Sequence, residues 1–252
     1  MKTKEKQIQT GTRKKRKVYF EIMKKMMKGR YKQPKFIYLW EEVFGPSIIL
    51  SNHEGTDAPM ALEIYLDKSL RMWGAHEMNS GLIKMYKYQA RVYYHEKKHW
   101  NLHLARLFCL IASPLTNLFY SGLDLISTYR DGRFIKTIRE TISSLKQGDN
   151  ILIFPENSEK GYLKELEGFH AGFILLCEQC LKEGIDVPIY VSYFRKDINT
   201  YVFDNPVKYS VLKEKYKTRD EISRQLCLRC NELGKMDVTN KEQEEQKQIA
   251  NI

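Results

Sequence analysis

Short apolar runs alternate with stretches of helical periodicity along most of the chain. The runs, each bounded by polar or turn residues, predict buried strands at 47–51, 70–74, 124–128, 150–154, 187–191 and 199–203. Apolar positions three and four residues apart predict helices over 134–146, 169–182 and 218–233. The alternation of strand and helix over 124–191 is typical of a parallel sheet. We therefore predict a single-domain α/β fold with a largely parallel central sheet covered by helices.

Residues 79–122 do not follow this alternation. They are rich in aromatic residues, and their last part, 102–123, is mostly apolar. Two helices here would either wall an apolar pocket or form a hydrophobic sub-layer of the core, and we expect the sub-layer. No run of 18 or more uninterrupted apolar residues occurs, so we expect no membrane-spanning helix.

Positive charge is concentrated at the N-terminus. The 252 residues contain 42 Lys+Arg and 31 Asp+Glu, a formal charge of +11. Residues 1–36 hold 14 of the basic residues and 2 of the acidic ones, which gives +12 and leaves −1 on the remainder. The segment 1–36 is therefore a basic arm, and the charge of the remainder is nearly balanced.

The arm also contains an apolar stripe at helical spacing. The stripe lies within 18–27, where lysines separate its members Tyr19, Ile22, Met23, Met26 and Met27. A basic amphipathic helix of this kind suits an anionic membrane surface, where it would dock the chain. Alternatively, the stripe packs on the body of the protein. The run 13–17 also fits a nucleic-acid patch, but we do not expect nucleic acid as a partner.

Composition sets the broad class of protein. Apolar residues make up 42% of the chain and charged residues 29%, which excludes both a disordered chain and an integral membrane bundle. We divide the chain into the arm 1–36, a globular domain 37–234 and a polar tail 235–252. The N-terminus lacks the apolar segment of a secretory signal, and five cysteines favour reduced thiols. We expect a cytoplasmic protein that is peripheral on the inner face of the cell membrane.

Candidate chemistry follows the first predicted strand. His53 and Asp57 lie just beyond that strand, and ligand sites of open α/β sheets lie at the carboxyl ends of strands. The two residues are four apart, so they share a face if a helix begins at His53. A carboxylate that holds an imidazole makes it a general base, because it fixes the tautomer and stabilises the imidazolium.

Four blocks in order resemble the glycerolipid acyltransferases, the family that contains the 1-acylglycerol-3-phosphate (lysophosphatidate) acyltransferases. The resemblance covers 48–191. Its blocks are Asn52-His53 with Asp57, then Arg130, then Phe154-Pro155-Glu156, then Val187-Pro188-Ile189.

This resemblance implies an enzyme that moves a fatty acyl group from acyl-CoA or acyl carrier protein to a hydroxyl of a lysophospholipid or related lipid. His53 would be the base and Asp57 would orient it. The resemblance implies no metal, cofactor or covalent intermediate. The residues that would bind substrate are Arg130, Phe154, Pro155, Glu156, Asn157, Ser158 and Lys160.

The chain departs from the family pattern in ways that bear on the acceptor. Three residues separate His53 from Asp57, where the family has four. Glu159 stands where the family has an arginine that contacts phosphate, and a carboxylate there repels phosphate. Lys160 compensates in part as a point charge. The acceptor therefore stays open between phosphorylated and phosphate-free lipids.

The cysteines allow a second interpretation of the sequence, a zinc site. The pairs Cys177/Cys180 and Cys227/Cys230 supply four thiols, which is a zinc-site count. Both pairs lie in predicted helices, so we expect buried thiols and no metal.

The alternative function is a non-catalytic module that binds an anionic surface or nucleic acid through the basic arm. An esterase is disfavoured because the chain has no Gly-x-Ser-x-Gly elbow.

Overall fold

The computed structural model describes residues 16–39, 45–157 and 161–238. In this part of the chain eight strands form one sheet: β1 (Lys35–Tyr38), β2 (Ile48–Ser51), β3 (Leu70–Ala75), β4 (Ile126–Thr128), β5 (Asn150–Ile153), β6 (Pro188–Arg195), β7 (Thr200–Phe203) and β8 (Val207–Lys208). The helices are α1 (Val18–Met27), α2 (Asp57–Tyr65), α3 (Leu82–Tyr88), α4 (Leu102–Leu123), α5 (Phe134–Lys146), α6 (Gly172–Lys182), α7 (Tyr209–Lys215) and α8 (Arg219–Lys235). A 3₁₀ turn (His76–Asn79) and a π-helix (Gln89–Lys97) complete the described elements.

The sheet is mostly parallel, as the sequence predicts. Its strand order is β1-β7-β6-β2-β5-β3-β4, and β8 pairs with β6. Strand β2 lies between β5 and β6 and is parallel to both. Only the pairs β6–β7 and β6–β8 of the described strands are antiparallel. The carboxyl ends of β2 and β5 are therefore neighbours at one edge of the sheet.

Alternating side chains of the central strands enter two separate cores. Ile48 and Leu50 of β2 belong to one core, which α5, α6 and α8 cover. Ile49 belongs to the other core, which contains Ala58 and Leu62 of α2. A strand buried on both faces explains why the sequence shows continuous apolar runs there rather than alternation.

Several predicted elements are confirmed. Helix α5 has the predicted bounds. Helix α8 begins with a capping box, in which Thr218 accepts from the backbone N–H of Glu221 while Glu221 accepts from the backbone N–H of Thr218. The capping box fixes where α8 starts, because both side chains satisfy donors that the helix leaves unpaired.

The helical layer, which we define as residues 82–123 (α3, the π-helix and α4), corrects our expectation of a core sub-layer. Its longest helix, α4, buries the small residues Ala105, Cys109 and Ser113. It leaves large apolar residues exposed: Leu104, Leu107, Phe108, Leu110, Ile111, Leu115 and Leu118. The prediction of a buried sub-layer was therefore wrong for the outer face of α4.

Helix α4 bears on the expectation that the chain has no membrane-spanning helix. Among the described residues it is the one helix that is long and apolar enough to cross a bilayer, by length and composition alone. Single polar residues such as Arg106 interrupt its apolar sequence. A criterion based on uninterrupted apolar runs therefore misses it.

Helix α1 packs on the body through Phe20 and Lys24, which lie outside the predicted stripe, and through the stripe residue Tyr19, which packs against the second core. Phe20 is fully buried, and its ring centroid lies 5.2 Å from that of Phe119 on α4. Lys24 is also buried, with its Nζ 3.4 Å from a carboxylate oxygen of the buried Glu63. The exposed apolar residues of α1 are Val18, Ile22 and Met26. One face of α1 thus contacts the body, and another faces outward.

Candidate functional site

The loops that follow β2 and β5 meet at the carboxyl edge of the sheet. His53 follows β2 and Glu156 follows β5. The backbone N–H of His53 donates to Oε1 of Glu156 at 3.2 Å. Asn52 fixes the first loop to β6, because its side chain donates to the carbonyl of Phe194 and accepts from the Phe194 N–H. The structure thus brings the first and third blocks of the resemblance together.

A tight turn joins His53 to α2. Glu54 and Gly55 have φ values of 39° and 68°, in the left-handed region. Glycine adopts this conformation without strain, and a glutamate adopts it rarely. The turn ends at Thr56, and α2 begins at Asp57 itself. His53 therefore lies outside the helix that contains Asp57.

The His53 imidazole is enclosed by two aromatic rings. Its centroid lies 4.6 Å from that of Phe154 and 4.7 Å from that of Tyr162, which stacks on it. Within the described part of the chain, its buried Nδ1 has no hydrogen-bond partner. Burial lowers the pKa of His53 to about 4, since the charged ring loses its hydration. At neutral pH the ring is uncharged and can accept a proton.

Asp57 does not hold this imidazole through Nδ1, which corrects the expected pairing. Its Oδ2 lies 2.7 Å from Nζ of Lys196, in the turn between β6 and β7. The shared helical face that we expected requires a helix beginning at His53, and α2 begins four residues later. Asp57 therefore pairs with a lysine, and the Nδ1 atom is left without a partner.

Glu156 is the buried carboxyl group of the site. It is 7% exposed, and burial raises its pKa to about 7, with the N–H of His53 opposing the shift. A second loop braces the backbone around it: Glu156 forms an isolated bridge with Phe169, and the Pro155 carbonyl accepts from the N–H of His170 at 2.7 Å. The Asn157 N–H donates to the carbonyl of Gly168. The side chain can therefore exchange a proton near neutral pH at a fixed position.

Two cations lie on the side of the site that faces the helical layer. Lys97, at the end of the π-helix, has its Nζ 5.5 Å from the ring centroid of Tyr162. Burial and the charge of Arg130 lower the pKa of Lys97, while Glu156 raises it. Arg130, two residues after β4, is exposed. The two cations repel each other, so an anionic group that bound between them would relieve the repulsion.

Lys97 and Tyr162 are residues that sequence reasoning missed. Both lie outside the four blocks, and a π-helix has no sequence signature, although π-helical segments are common at functional sites. The tyrosines of the layer also face this region. Burial raises the pKa of Tyr162, and nearby Tyr93, Tyr88 and Tyr120 raise it further.

Other predicted residues are not at the described site. Ser158 and Lys160 lie outside the described residues, as does Glu159. All four thiols of the two Cys-x-x-Cys pairs are buried in α6 and α8. Within the described ranges, no group of three or more His, Cys, Asp or Glu side chains could hold a metal ion.

Comparisons with protein families and with curated proteins find no match. The resemblance to the acyltransferases therefore depends on the quoted residues alone.

Proposed function

We propose that the chain is an O-acyltransferase that transfers a fatty acyl group from acyl-CoA or acyl carrier protein to a hydroxyl of a lysophospholipid or related lipid. The observation that carries the proposal is the buried, unpartnered Nδ1 of His53 at the carboxyl end of β2. A buried nitrogen without a partner is costly. An acceptor hydroxyl that donated to it, after one of the two enclosing rings had moved aside, would remove that cost and place its oxygen beside the base.

The reaction requires only one proton to be moved by the protein. The acceptor hydroxyl gives its proton to His53 as its oxygen attacks the thioester carbonyl. The carbon–sulfur bond then breaks, and the protonated imidazole returns the proton to the departing thiolate. Because His53 is neutral at physiological pH, it can accept the proton without first losing one.

The remaining residues would position the two substrates. Phe154 and Tyr162 hold the imidazole by ring contacts, and the tyrosines of the helical layer offer a wall for an acyl chain. Arg130 and Lys97 would bind an anionic head group of the acceptor or the phosphates of the donor. Arg130 belongs to the resemblance, whereas Lys97 is a contribution of the helical layer. In this proposal Lys97 supplies the positive charge that the family's arginine would supply at the position where this chain has Glu159.

The test is release of thiol from an acyl thioester in the presence of lysolipid acceptors, both phosphorylated and phosphate-free. We expect His53→Ala to lower the rate by about 10²–10⁴-fold, the range for loss of a general base. The matched control is His103→Ala, an exposed histidine on α4, assayed with water-soluble acceptors. Undiminished turnover in His53→Ala would remove the mechanism.

The alternative is a non-catalytic module that binds an anionic surface or nucleic acid through the basic arm. The +12 charge of residues 1–36 favours it. It predicts no thiol release by the wild-type chain with any acceptor in the panel, so the same assay decides between the two functions.

A further inference from the structure

The largest apolar surface of the described residues lies on α4. Seventeen large hydrophobic side chains are exposed in the described part of the chain, and seven of them belong to this one helix. Leu104, Leu107, Ile111, Leu115 and Leu118 follow one another at spacings of three and four, so they form a continuous stripe. Contiguous apolar surface of this kind marks an interaction site.

The elements beside α4 extend the same surface. Val18, Ile22 and Met26 are exposed on α1, which packs against the C-terminal part of α4. Leu82 and Ile83 are exposed on α3. Both α1 and α3 contact α4, so their exposed apolar residues lie on helices that adjoin it.

Charge around this surface has one dominant sign. The three α-helices and the π-helix contain seven Lys or Arg residues and two Glu residues; of the seven, Lys24 is buried and Lys97 lies at the His53 site. Both glutamates are within ion-pair distance of a basic residue of their own segment: Glu21 of Lys24, and Glu96 of Arg91. Two exposed lysines, Lys84 and Lys87, have no acidic residue on α3. An apolar face with a basic rim complements an anionic bilayer, whereas a second copy of the chain would present the same positive charge.

The packing of α4 indicates how it meets a bilayer. Ala105 near its start is buried, Ser113 in its middle donates to the Gln89 side chain at 3.0 Å, and Gly122 near its end lies against Phe20. The inner face is therefore attached to the protein along its whole length. A helix held in this way can lie in the plane of the interface without crossing the membrane.

We propose that the exposed face of α4, with the adjoining faces of α1 and α3, inserts into the interface of an anionic lipid bilayer. The sequence alone places bilayer contact on the basic arm, whereas the exposed faces place most of it on the helical layer, with α1 of the arm beside α4. It stands apart from the proposed reaction, because lipid binding is measured without an acyl donor.

The test is flotation of the full chain with vesicles of phosphatidylcholine, alone or mixed with phosphatidylglycerol. We expect binding to the mixed vesicles. The double variant Leu107→Gln/Ile111→Gln should bind at least about tenfold more weakly, because each substitution removes an apolar side chain from the interface. The matched control, Val211→Gln/Leu228→Gln, alters two exposed apolar residues elsewhere and should bind as the wild type does. Circular dichroism and thermal unfolding verify that both variants are folded.

A second variant tests the attraction between the lysines of α3 and anionic lipid. Lys84→Gln/Lys87→Gln should lose about tenfold or more in binding to the mixed vesicles and almost nothing on phosphatidylcholine alone. Equal binding of wild type and Leu107→Gln/Ile111→Gln would overturn the proposal. The proposal would also be overturned if the wild type formed a dimer that Leu107→Gln/Ile111→Gln dissociated, because a second copy of the chain would then cover the face. Resistance of the membrane-bound chain to carbonate extraction would indicate a spanning helix and would also overturn it.

Discussion

Helices α5 and α4 show the same apolar pattern and opposite burial. In α5, Ile138, Ile142 and Leu145 are spaced by four and three residues and are buried in the core beneath the sheet. In α4, residues at the same kind of spacing are largely exposed, with Leu107 at 62% and Ile111 at 81%. Helical periodicity therefore identifies an apolar face but does not identify what covers it.

The difference arises from what lies opposite each helix. Helix α5 packs against β4, β5 and α6, so its large side chains fill the space between helix and sheet. Helix α4 packs on the π-helix through small residues, which allow close approach of the two backbones. The aliphatic residues on the outer face of α4, such as Leu107 and Ile111, are left largely exposed. In water they add little stability, and at an apolar interface they would add much.

The largest predicted effect contrasts these two helices directly. Leu145→Ala should lower the free energy of unfolding by about 2–5 kcal/mol, because it removes a 1% exposed side chain and leaves a cavity. Leu107→Ala should change it by less than about 0.5 kcal/mol in lipid-free buffer. Urea unfolding of both variants measures this difference. Similar losses of unfolding free energy in the two variants would mean that Leu107 is covered in solution and would contradict the difference in burial between the two helices.

The seam between the helical layer and the body supplies a prediction of intermediate size. A Cβ at Gly122 would overlap the Phe20 ring, where α1 packs on α4. Gly122→Ala should therefore destabilise the protein by about 1–3 kcal/mol through overpacking. The control is Gly132→Ala, since a Cβ at Gly132 meets nothing within 4 Å. Thermal unfolding of Gly122→Ala, Phe20→Ala and the double variant should show strong coupling between the two positions, and independent effects would contradict the packing.

Much of the fold could be predicted because local pattern and tertiary environment agree there. The bounds of α5 follow from periodicity, and the start of α8 follows from the capping box. The strands of the central sheet are buried on both faces, so their apolar runs are continuous. Each of these signals lies within a few adjacent residues. Pairing, by contrast, joins distant segments, and the short edge strands β1 and β8 were not predicted.

The site was predictable only as far as it depends on strand ends. His53 and Glu156 meet because β2 and β5 are parallel neighbours. The partner of Asp57 could not be foreseen, because Lys196 comes from a turn well over a hundred residues away. Lys97 reaches the site on a π-helix, whose hydrogen-bond register leaves no mark on the sequence. Chemistry placed by long-range packing was thus the part that the sequence could not supply.

The smallest predicted effect concerns Glu156, at the boundary between the buried body and the helical layer. Its pKa in the folded protein is raised to about 7, so the folded state holds a proton that the unfolded chain releases at about 4.3. Stability from this group is complete below the lower value and is lost as the pH rises through 7. Glu156→Gln cannot titrate, so it lacks this loss.

The stability of Glu156→Gln relative to wild type should therefore rise by about 1–2 kcal/mol between pH 6 and pH 8. His53 contributes a slope of opposite sign, since its pKa is lowered to about 4, but it is present in both proteins and cancels in the difference. Urea unfolding at the two pH values gives the measurement, with the exposed Glu232→Gln as the control. A difference that stays constant with pH would show that Glu156 is hydrated. Water would then reach the Glu156 carboxyl group, as it reaches the exposed face of α4.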